Sequence, residues 1–293
     1  MNQSVRITLM TQNYRKVYFM SGETISVIMA CYNGDKLTAL KEAIDSVLRQ
    51  TIPFLEFIIV VDGPVAPPIL KCLKEFESLN EKIIVIRLDK NVGGARARNI
   101  GMKASQGDYI AIMDSDDIIY PERLECQLEA IKENEADAVW AWQEEFYDGT
   151  YEYAGLKTCP ELHSDIVRKL KFRNSTSDPT TFIKRICFEK TGGYGNYKNI
   201  NYDYEFFLKI ALSNFKLYCV QKPLIKVRIS PAQRARRGGV EILKQDFKLR
   251  RWMLKKKILT FPEFIIISGI WAAFRMQPNF VRDFLYKNIL RAS

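Results

Sequence analysis

The sequence predicts an α/β fold with a mostly parallel sheet flanked by helices. Short apolar runs of strand length alternate with segments in which apolar residues recur at helical spacing. The strand-length runs are apolar along most of their length, which is typical of strands covered on both faces. With 293 residues, 47% of them hydrophobic, the chain can form one large domain, or one domain with an appendage.

The predicted elements follow one another closely through the first half of the chain. Strands are predicted at residues 25–30, 57–61, 83–88, 109–113 and 138–142. Helices are predicted at 37–48, 68–79 and 95–104 and after Pro121, because proline suits the first turn of a helix. Residues 143–200 lack a clear period and are expected to form loops that shape a substrate pocket. A helix at 203–212 and extended chain at 217–227 follow.

Polar residues follow several of the predicted strands, at the point where each strand ends. They are Tyr32 and Asn33, Asp62, Asn91, and the acidic segment Asp114–Asp117. In open α/β sheets, ligands bind beyond the carboxyl ends of the strands, where such residues gather along one edge. The sequence therefore predicts one site at this edge.

Three carboxylates, those of Asp114, Asp116 and Asp117, lie within four consecutive residues. They would repel one another unless a cation or hydrogen-bond donors lay among them, and Mg²⁺ is commonly held by one or two carboxylates together with substrate phosphates. A solvated acidic turn is the alternative. The position directly after a predicted strand favours the metal site.

The segment Asn91–Asn99 combines two adjacent glycines with two arginines just before and within a predicted helix. Backbone N–H groups at a helix start and guanidinium groups both bind phosphate well. A simple tight turn would also account for the glycines. Together with the acidic segment, this stretch favours a ligand that carries a diphosphate, whose developing charge a cation can stabilise.

Taken together, these residues resemble those of family 2 glycosyltransferases, which have the GT-A fold. The segments that carry the resemblance are Ile25–Asn33, Ile58–Asp62, Asn91–Gly101, and Asp114–Asp117 followed by Pro121. Their order and spacing are specific in combination. The resemblance extends over residues 22–230 and implies a GT-A type nucleotide-diphospho-sugar transferase fold for that part of the chain.

The resemblance also implies a donor pocket, a metal ion and a catalytic base. The nucleotide-sugar would contact Ala30, Tyr32, Asp62, Arg98, Asp114 and Asp116, with Tyr32 and Asp62 beside the nucleobase. Either Asp116 or Asp117 would ligate Mn²⁺ or Mg²⁺. The base would be Asp203, with Glu205 two residues further on as a secondary candidate. Tyr202 stands where the family usually has an acidic residue.

The activity implied is inverting transfer of a sugar, expected from a UDP-sugar, to a hydroxyl of a glycan or lipid-linked acceptor during surface polysaccharide or glycan synthesis. A nucleotidyltransferase and an inactive, membrane-associated nucleotide-sugar-binding protein remain alternatives. A nicotinamide-dependent oxidoreductase is disfavoured, because its glycine motif should follow the first strand, where this chain has Cys31–Gly34. The sugar, the acceptor and the oligomeric state stay open, and a homo-oligomer is one of the options.

Charge and domain organisation single out the end of the chain. From Lys222 to Ser293 there are 17 lysines and arginines against 4 acidic residues, whereas the rest of the chain has 27 against 30. The expected organisation is an N-terminal extension at 1–21, for which a misassigned start is one interpretation; a nucleotide-binding half at 22–120; an acceptor half at 121–230; and a helical, basic, amphipathic tail at 231–293.

The basic tail predicts attachment to a membrane surface. Arg236 and Arg237 are candidate phosphate contacts, and residues 264–274 and 280–289 have the apolar content or spacing of interfacial helices. Packing on the catalytic domain or on a second subunit is the alternative, and nucleic acid is not expected because no recognised binding module accompanies the charge. The six cysteines form no C-x-x-C pair, so a reducing cytoplasm is expected, at the inner face of the membrane.

Overall fold

A computed structural model describes residues 23–195, 197, 201–230, 238–278 and 281 of the chain. The strands are β1 (Ile25–Cys31), β2 (Glu56–Val61), β3 (Ile83–Arg87), β4 (Tyr109–Asp114), β5 (Ile118–Ile119), β6 (Ala138–Tyr147), β7 (Tyr153–Lys157), β8 (Phe182–Lys184) and β9 (Leu217–Ile229). The helices are α1 (Leu37–Leu48), α2 (Pro67–Leu79), α3 (Gly94–Ala104), α4 (Arg123–Glu133), α5 (His163–Leu170), α6 (Arg185–Thr191), α7 (Tyr202–Leu212), α8 (Val240–Lys255) and α9 (Phe261–Met276).

Within the described residues, the strands form one nine-stranded sheet in the order β3-β2-β1-β4-β8-β6-β9-β5, with β7 paired to β6. The first four strands of this order, β3, β2, β1 and β4, pair in parallel with one another. The candidate site lies in this part of the sheet. Beyond β4 the pairs are antiparallel, except for β6 with β9. The sheet is therefore parallel among β1, β2, β3 and β4, as expected, and mixed in the rest.

The strands of the parallel half are buried because helices cover both of their faces. Alternate residues of β1 point to opposite sides, and so Ile28 packs in one core while Val27 and Met29 pack in the other. Helices α1, α2 and α4 contribute to the second core, whereas α3, α5, α7, α8 and α9 contribute to the first. All six residues of β2 are buried, which explains why the five residues after Glu56 are all apolar.

Several expectations for the middle of the chain need correction. Residues 143–200 are not mainly loops, since β6 continues to Tyr147 and the stretch also contains β7, α5, β8 and α6. These elements are short, and their pairing with distant strands, rather than a local period, fixes them. Pro121 lies in a turn before α4, which begins at Arg123, so it precedes the helix instead of opening it.

The last two described helices pack on the first core of the sheet domain. Leu249 and Met253 of α8 and Phe264 and Ile267 of α9 are buried in the first core. Helix α9 begins with a capping box in which the Thr260 side chain accepts from the Glu263 amide and the Glu263 side chain accepts from the Thr260 amide. Among the described residues, no helix has both the length and the apolar content to cross a bilayer.

Three sequence-based expectations concern residues outside those described. They are the N-terminal extension at 1–21, the interfacial helix at 280–289, apart from residue 281, and the phosphate contacts of Arg236 and Arg237. The domain boundaries proposed at residues 120 and 230 remain predictions.

Two helical glycines are expected to respond in opposite ways to substitution by alanine. Gly101 of α3 packs closely on β1 and β2, whereas Gly269 of α9 has open space beside it. In Gly101→Ala the new Cβ would lie 2.6 Å from Ile28 Cγ2 and 3.2 Å from Val60 Cγ2, so overpacking should outweigh the gain in helix propensity. We expect the free energy of unfolding to fall by about 1–2 kcal/mol. In the matched control Gly269→Ala, no described atom lies within 4 Å of the new Cβ, and we expect a rise of about 0.5–1 kcal/mol. Urea unfolding followed by circular dichroism measures both, and a Gly101→Ala variant as stable as the parent would contradict the packing.

Candidate functional site

A cleft of about 520 Å³ opens at the carboxyl ends of the parallel strands. It is lined by the ends of β1, β2 and β4, by the start of α3, and by residues from the end of β9. The predicted site residues that line it are Ala30, Tyr32, Asp62, Arg98, Asp114 and Asp116. The structure thus brings together side chains separated by up to 86 residues in the sequence, at the edge that the parallel topology predicts.

Asp62 fixes the glycine loop at one side of the cleft. Its carboxylate accepts hydrogen bonds from the backbone N–H groups of Val92, at 2.6 Å, and Gly93, at 2.9 Å. The Asn91 side chain donates to the Asp62 carbonyl oxygen at 3.1 Å. The carboxylate and the carbonyl oxygen of Asp62 therefore both hold the loop that leads into α3.

The start of α3 faces the same cleft. Gly93 precedes the helix with a φ of 90°, a conformation that favours glycine, and both Gly93 and Gly94 line the cleft. The N-terminus of a helix has partial positive charge and amides that point outward. This end of the cleft is therefore suited to an anion such as a phosphate group.

Arg98, one turn into α3, is buried and forms an ion pair with Asp114 at the end of β4. Its guanidinium lies 5.9 Å from the ring centroid of Tyr194 and 5.8 Å from that of Tyr202. Burial, the largest single effect, acts to lower the pKa of Arg98, but the charges of Asp114, Asp178 and the two neighbouring tyrosines together outweigh it, and the pKa lies well above the ordinary value. Arg98 is thus a fixed positive charge, held by one carboxylate and two aromatic faces.

The acidic segment after β4 gathers three carboxylates whose oxygen atoms can lie within 4.8 Å of one another. Asp114 and Asp116 line the cleft, whereas Asp117 is only 1% exposed and accepts a hydrogen bond from the Arg228 amide at 2.9 Å. Burial, and next the charge of Asp114, raises the pKa of Asp116 to about 7. Burial also raises the pKa of Asp117. An all-oxygen set of this kind fits a hard divalent cation.

Two residues that the sequence analysis missed complete the acidic side of the cleft. Asp35 accepts hydrogen bonds from the Tyr32 amide at 3.0 Å and the Ser115 hydroxyl at 2.8 Å. Burial raises the pKa of Asp35, and these two bonds counteract that rise. Asp35 thereby ties the loop after β1 to the acidic segment after β4. Its place in a turn three residues beyond Tyr32 was the only signal available in the sequence.

Arg228 of β9, the second missed residue, lines the cleft and contacts the acidic segment. Its Nε donates to the Asp116 carbonyl oxygen at 2.9 Å, and its other nitrogens donate to Asp148, at 3.2 Å, and Glu42. The guanidinium also lies 4.8 Å from the ring centroid of Phe146. Because Arg228 is 111 residues from Asp117 in the chain, local sequence patterns could not have indicated this contact.

Asp203 lies in the first turn of α7, where the resemblance places a catalytic base. It does not line the cleft itself, but its neighbour Tyr202 does. The Asn174 side chain donates to the Asp203 carboxylate at 2.8 Å. Burial raises the pKa of Asp203, and a hydrogen bond from the Tyr204 amide is the largest opposing effect. Asp203 is therefore a half-buried, oriented carboxylate next to the cleft.

Glu205, the secondary candidate, has a different environment. It forms an ion pair with Lys209, one turn further along α7, at 2.7 Å, and it contacts Tyr197. It does not line the cleft. The structure therefore brings Asp203 to the cleft's neighbourhood but not Glu205.

Comparison with known proteins gives a consistent result. A family model described as Glycosyl transferase family 2 matches residues 26–191. A UDP-Gal:alpha-D-GlcNAc-diphosphoundecaprenol beta-1,3-galactosyltransferase from Escherichia coli is 30% identical over 278 residues, which cover 93% of this chain and 99% of the relative. The amylovoran biosynthesis glycosyltransferase AmsE from Erwinia amylovora is 26% identical over 262 residues, covering 89% and 97%.

Solved structures share the fold. The crystal structure of S. aureus TarS 1–349 in complex with UDP-GlcNAc matches with a TM-score of 0.63 and 19% identity. The match covers 79% of this chain and 66% of that one. At this identity the likeness concerns the fold alone, an α/β fold with a mixed sheet flanked by helices.

Proposed function

The chain belongs to glycosyltransferase family 2, and we propose that it transfers the sugar of a UDP-sugar to a hydroxyl of a glycan or lipid-linked acceptor in surface polysaccharide synthesis. Family membership makes it a glycosyltransferase. The donor and acceptor classes are inferred from the cleft and from the relatives. The E. coli relative is named for a UDP-galactose donor and a diphosphoundecaprenol-linked N-acetylglucosamine acceptor.

One observation carries the donor assignment. The amino end of α3 and the acidic segment after β4 face each other across one cleft, with Arg98 between them. A nucleoside diphosphate needs such an arrangement, because its phosphates carry negative charge that backbone amides and a cation can share. Tyr32, 44% exposed at the cleft edge, offers a ring against which a nucleobase can stack.

The metal assignment rests on the three carboxylates. Mn²⁺ or Mg²⁺ would be held by Asp116, assisted by Asp114, because both line the cleft. Asp117 faces the Arg228 amide and would instead support the segment. When bound, the cation would neutralise the charge that develops on the diphosphate leaving group.

Substituting the two neighbouring carboxylates one at a time tests this division of roles. Asp116→Asn should abolish the manganese-dependent rise in melting temperature with UDP, because it removes the ligand oxygen. It should not lower the melting temperature without metal, because burial and the neighbouring carboxylates make the charged form of Asp116 unfavourable in the folded protein. Asp117→Asn should keep part of the rise, since asparagine still accepts from the Arg228 amide. Thermal shift with UDP and Mn²⁺ measures both. The opposite ranking would assign the ion to Asp117.

Asp203 is the proposed general base, which takes the proton from the acceptor hydroxyl as that oxygen attacks the anomeric carbon. One displacement with one base inverts the anomeric configuration. The support is its position in the first turn of α7, beside Tyr202 at the cleft, and the orientation that Asn174 gives its carboxylate. A base must be deprotonated, and Asn174 and the Tyr204 amide both stabilise that form.

Asp203→Asn should lower turnover by roughly 10²- to 10⁴-fold while leaving UDP and Mn²⁺ binding unchanged.

The wild-type enzyme should also lose activity as the pH is lowered. The base works only when deprotonated, that is, above its pKa in the folded protein. Because burial raises this pKa, the fall in kcat/KM on acidification should begin at a pH above the ordinary pKa range of an aspartate. Release of UDP from a panel of UDP-sugars, measured against pH, tests both expectations. Unchanged turnover in the variant removes Asp203 from the role, and release of pyrophosphate instead of UDP would indicate nucleotidyl transfer.

We further propose that the enzyme works at the cytoplasmic surface of a membrane through α9. One face of this helix packs in the core, and apolar residues on the other face are more than half exposed: Phe261, Ile265, Ile266, Ile270 and Met276. Three exposed lysines, Lys255–Lys257, precede it. An apolar helix face beside clustered basic residues suits an anionic bilayer, which is also where a lipid-linked acceptor would lie.

Two exposed isoleucines allow a direct test of the membrane surface. The double variant Ile265→Glu/Ile270→Glu should lose sedimentation with phosphatidylglycerol vesicles, because two charges would enter the interface, and should keep its melting temperature. Leu79→Glu, at an 84% exposed position on α2, is the control and should bind vesicles as the parent does. Equal binding by all three proteins would contradict the assignment to α9.

A further inference from the structure

Asp178 is a carboxylate beside the proposed base for which neither the donor assignment nor the metal assignment has a use. It opens the single 3₁₀ turn Asp178–Thr180 just before β8. Its Oδ1 accepts a hydrogen bond from the Tyr194 hydroxyl at 2.7 Å. Its Oδ2 is buried and has no hydrogen-bond partner in the described part of the chain.

The charges around Asp178 come from both halves of the site. Arg98 lowers the pKa of Asp178, whereas burial, the largest effect, and the charges of Asp203 and Asp114 raise it. Arg98 and Asp114 belong to the donor side, and Asp203 is the proposed base. Tyr194 links Asp178 to Arg98, because its ring lies 5.9 Å from that guanidinium while its hydroxyl donates to Asp178.

Pairing with Arg98 does not explain the free oxygen. Arg98 already has Asp114 as its direct partner, and no hydrogen bond joins Arg98 to Asp178 among the described residues. A buried carboxylate oxygen without a donor is unfavourable, so its presence calls for a ligand that supplies one.

The segment just before this turn orients the proposed base. Asn174, four residues before Asp178, donates to the Asp203 carboxylate and accepts at its Oδ1 from both the amide and the hydroxyl of Thr176. The Thr180 hydroxyl donates to the Ser177 carbonyl oxygen and so ties the end of the 3₁₀ turn to the residue before it. Asp178 and the residue that orients Asp203 thus come from one short stretch of the chain.

We propose that Asp178 is a specificity-determining residue whose Oδ2 accepts a hydrogen bond from a sugar hydroxyl beside the reaction centre. The inference rests on the proposed transferase function and adds a sugar contact to it. The hydroxyl belongs either to the sugar being transferred or to the accepting sugar, since both sugars have hydroxyl groups that can donate to a carboxylate. A buried acceptor of this kind discriminates strongly against a sugar that lacks the hydroxyl, because the carboxylate oxygen is then left unpaired.

Two substitutions at Asp178 and one control separate this role from a structural one. Asp178→Asn and Asp178→Ala are compared with Tyr194→Phe, which removes the donor to Oδ1 but leaves the carboxylate. Calorimetry with Mn²⁺ gives the Kd of UDP and of UDP-galactose, and kinetics with a synthetic N-acetylglucosaminyl diphospholipid gives the KM of the acceptor. UDP itself lacks the sugar and should bind all variants within about twofold of the wild type.

If the hydroxyl is the donor's, the Kd of UDP-galactose should rise about tenfold or more in both Asp178 variants; if it is the acceptor's, the acceptor KM should rise instead. Tyr194→Phe should change either constant by less than about threefold. Deoxy-sugar analogues, tested on the wild type, should reproduce the loss without any substitution, which covers variants that fail to fold. Wild-type affinity for both substrates in the Asp178 variants, or full tolerance of every deoxy analogue, overturns the inference. A wild-type protein that transfers no sugar from any UDP-sugar overturns the proposed function instead.

Discussion

The concentration of negative charge at the carboxyl ends of β1 and β4 is the constraint on which the site depends. Burial raises the pKa of Asp35 and of Asp116 there, the charge of Asp114 raises both further, and the charge of Asp35 adds to the rise at Asp116. Buried carboxylates of this density persist only where cations balance them. Three buried arginines do so from different sides of the segment: Arg98, Arg123 and Arg228. The carboxylates that still face the cleft make it a place where a divalent cation is favourable.

Much of the half of the chain up to β4 could be predicted because its signals are local. The strands that lead to Asp62 and Asp114 are buried on both faces, so their sequences are mostly apolar runs that stop where these polar residues begin. Each such run is followed by a loop and a helix within a few residues. The rule that ligands bind beyond parallel strand ends then places those polar residues in one cleft without knowledge of the strand order.

The other half could not be predicted because its pairing is long-range. The strand β8 has only three residues, yet it joins β4 to β6 at the centre of the sheet. Arg228 is recognisable as part of the site only when β9 lies beside β6 and reaches the acidic segment. Asn174 likewise comes from a turn with no period of its own. In each case the partner, rather than the neighbouring sequence, fixes the conformation.

Tyr202 shows how a departure from the family pattern can be compensated in space. In the sequence, the missing acidic residue before Asp203 indicates a weakened site. In the structure, the Tyr202 ring lies 5.8 Å from the Arg98 guanidinium, which also lies 5.9 Å from the Tyr194 ring and pairs with Asp114. The first turn of α7 is thereby joined to α3 and to the end of β4 by an aromatic contact with a cation. A carboxylate at position 202 would instead have added to the negative charge already concentrated there.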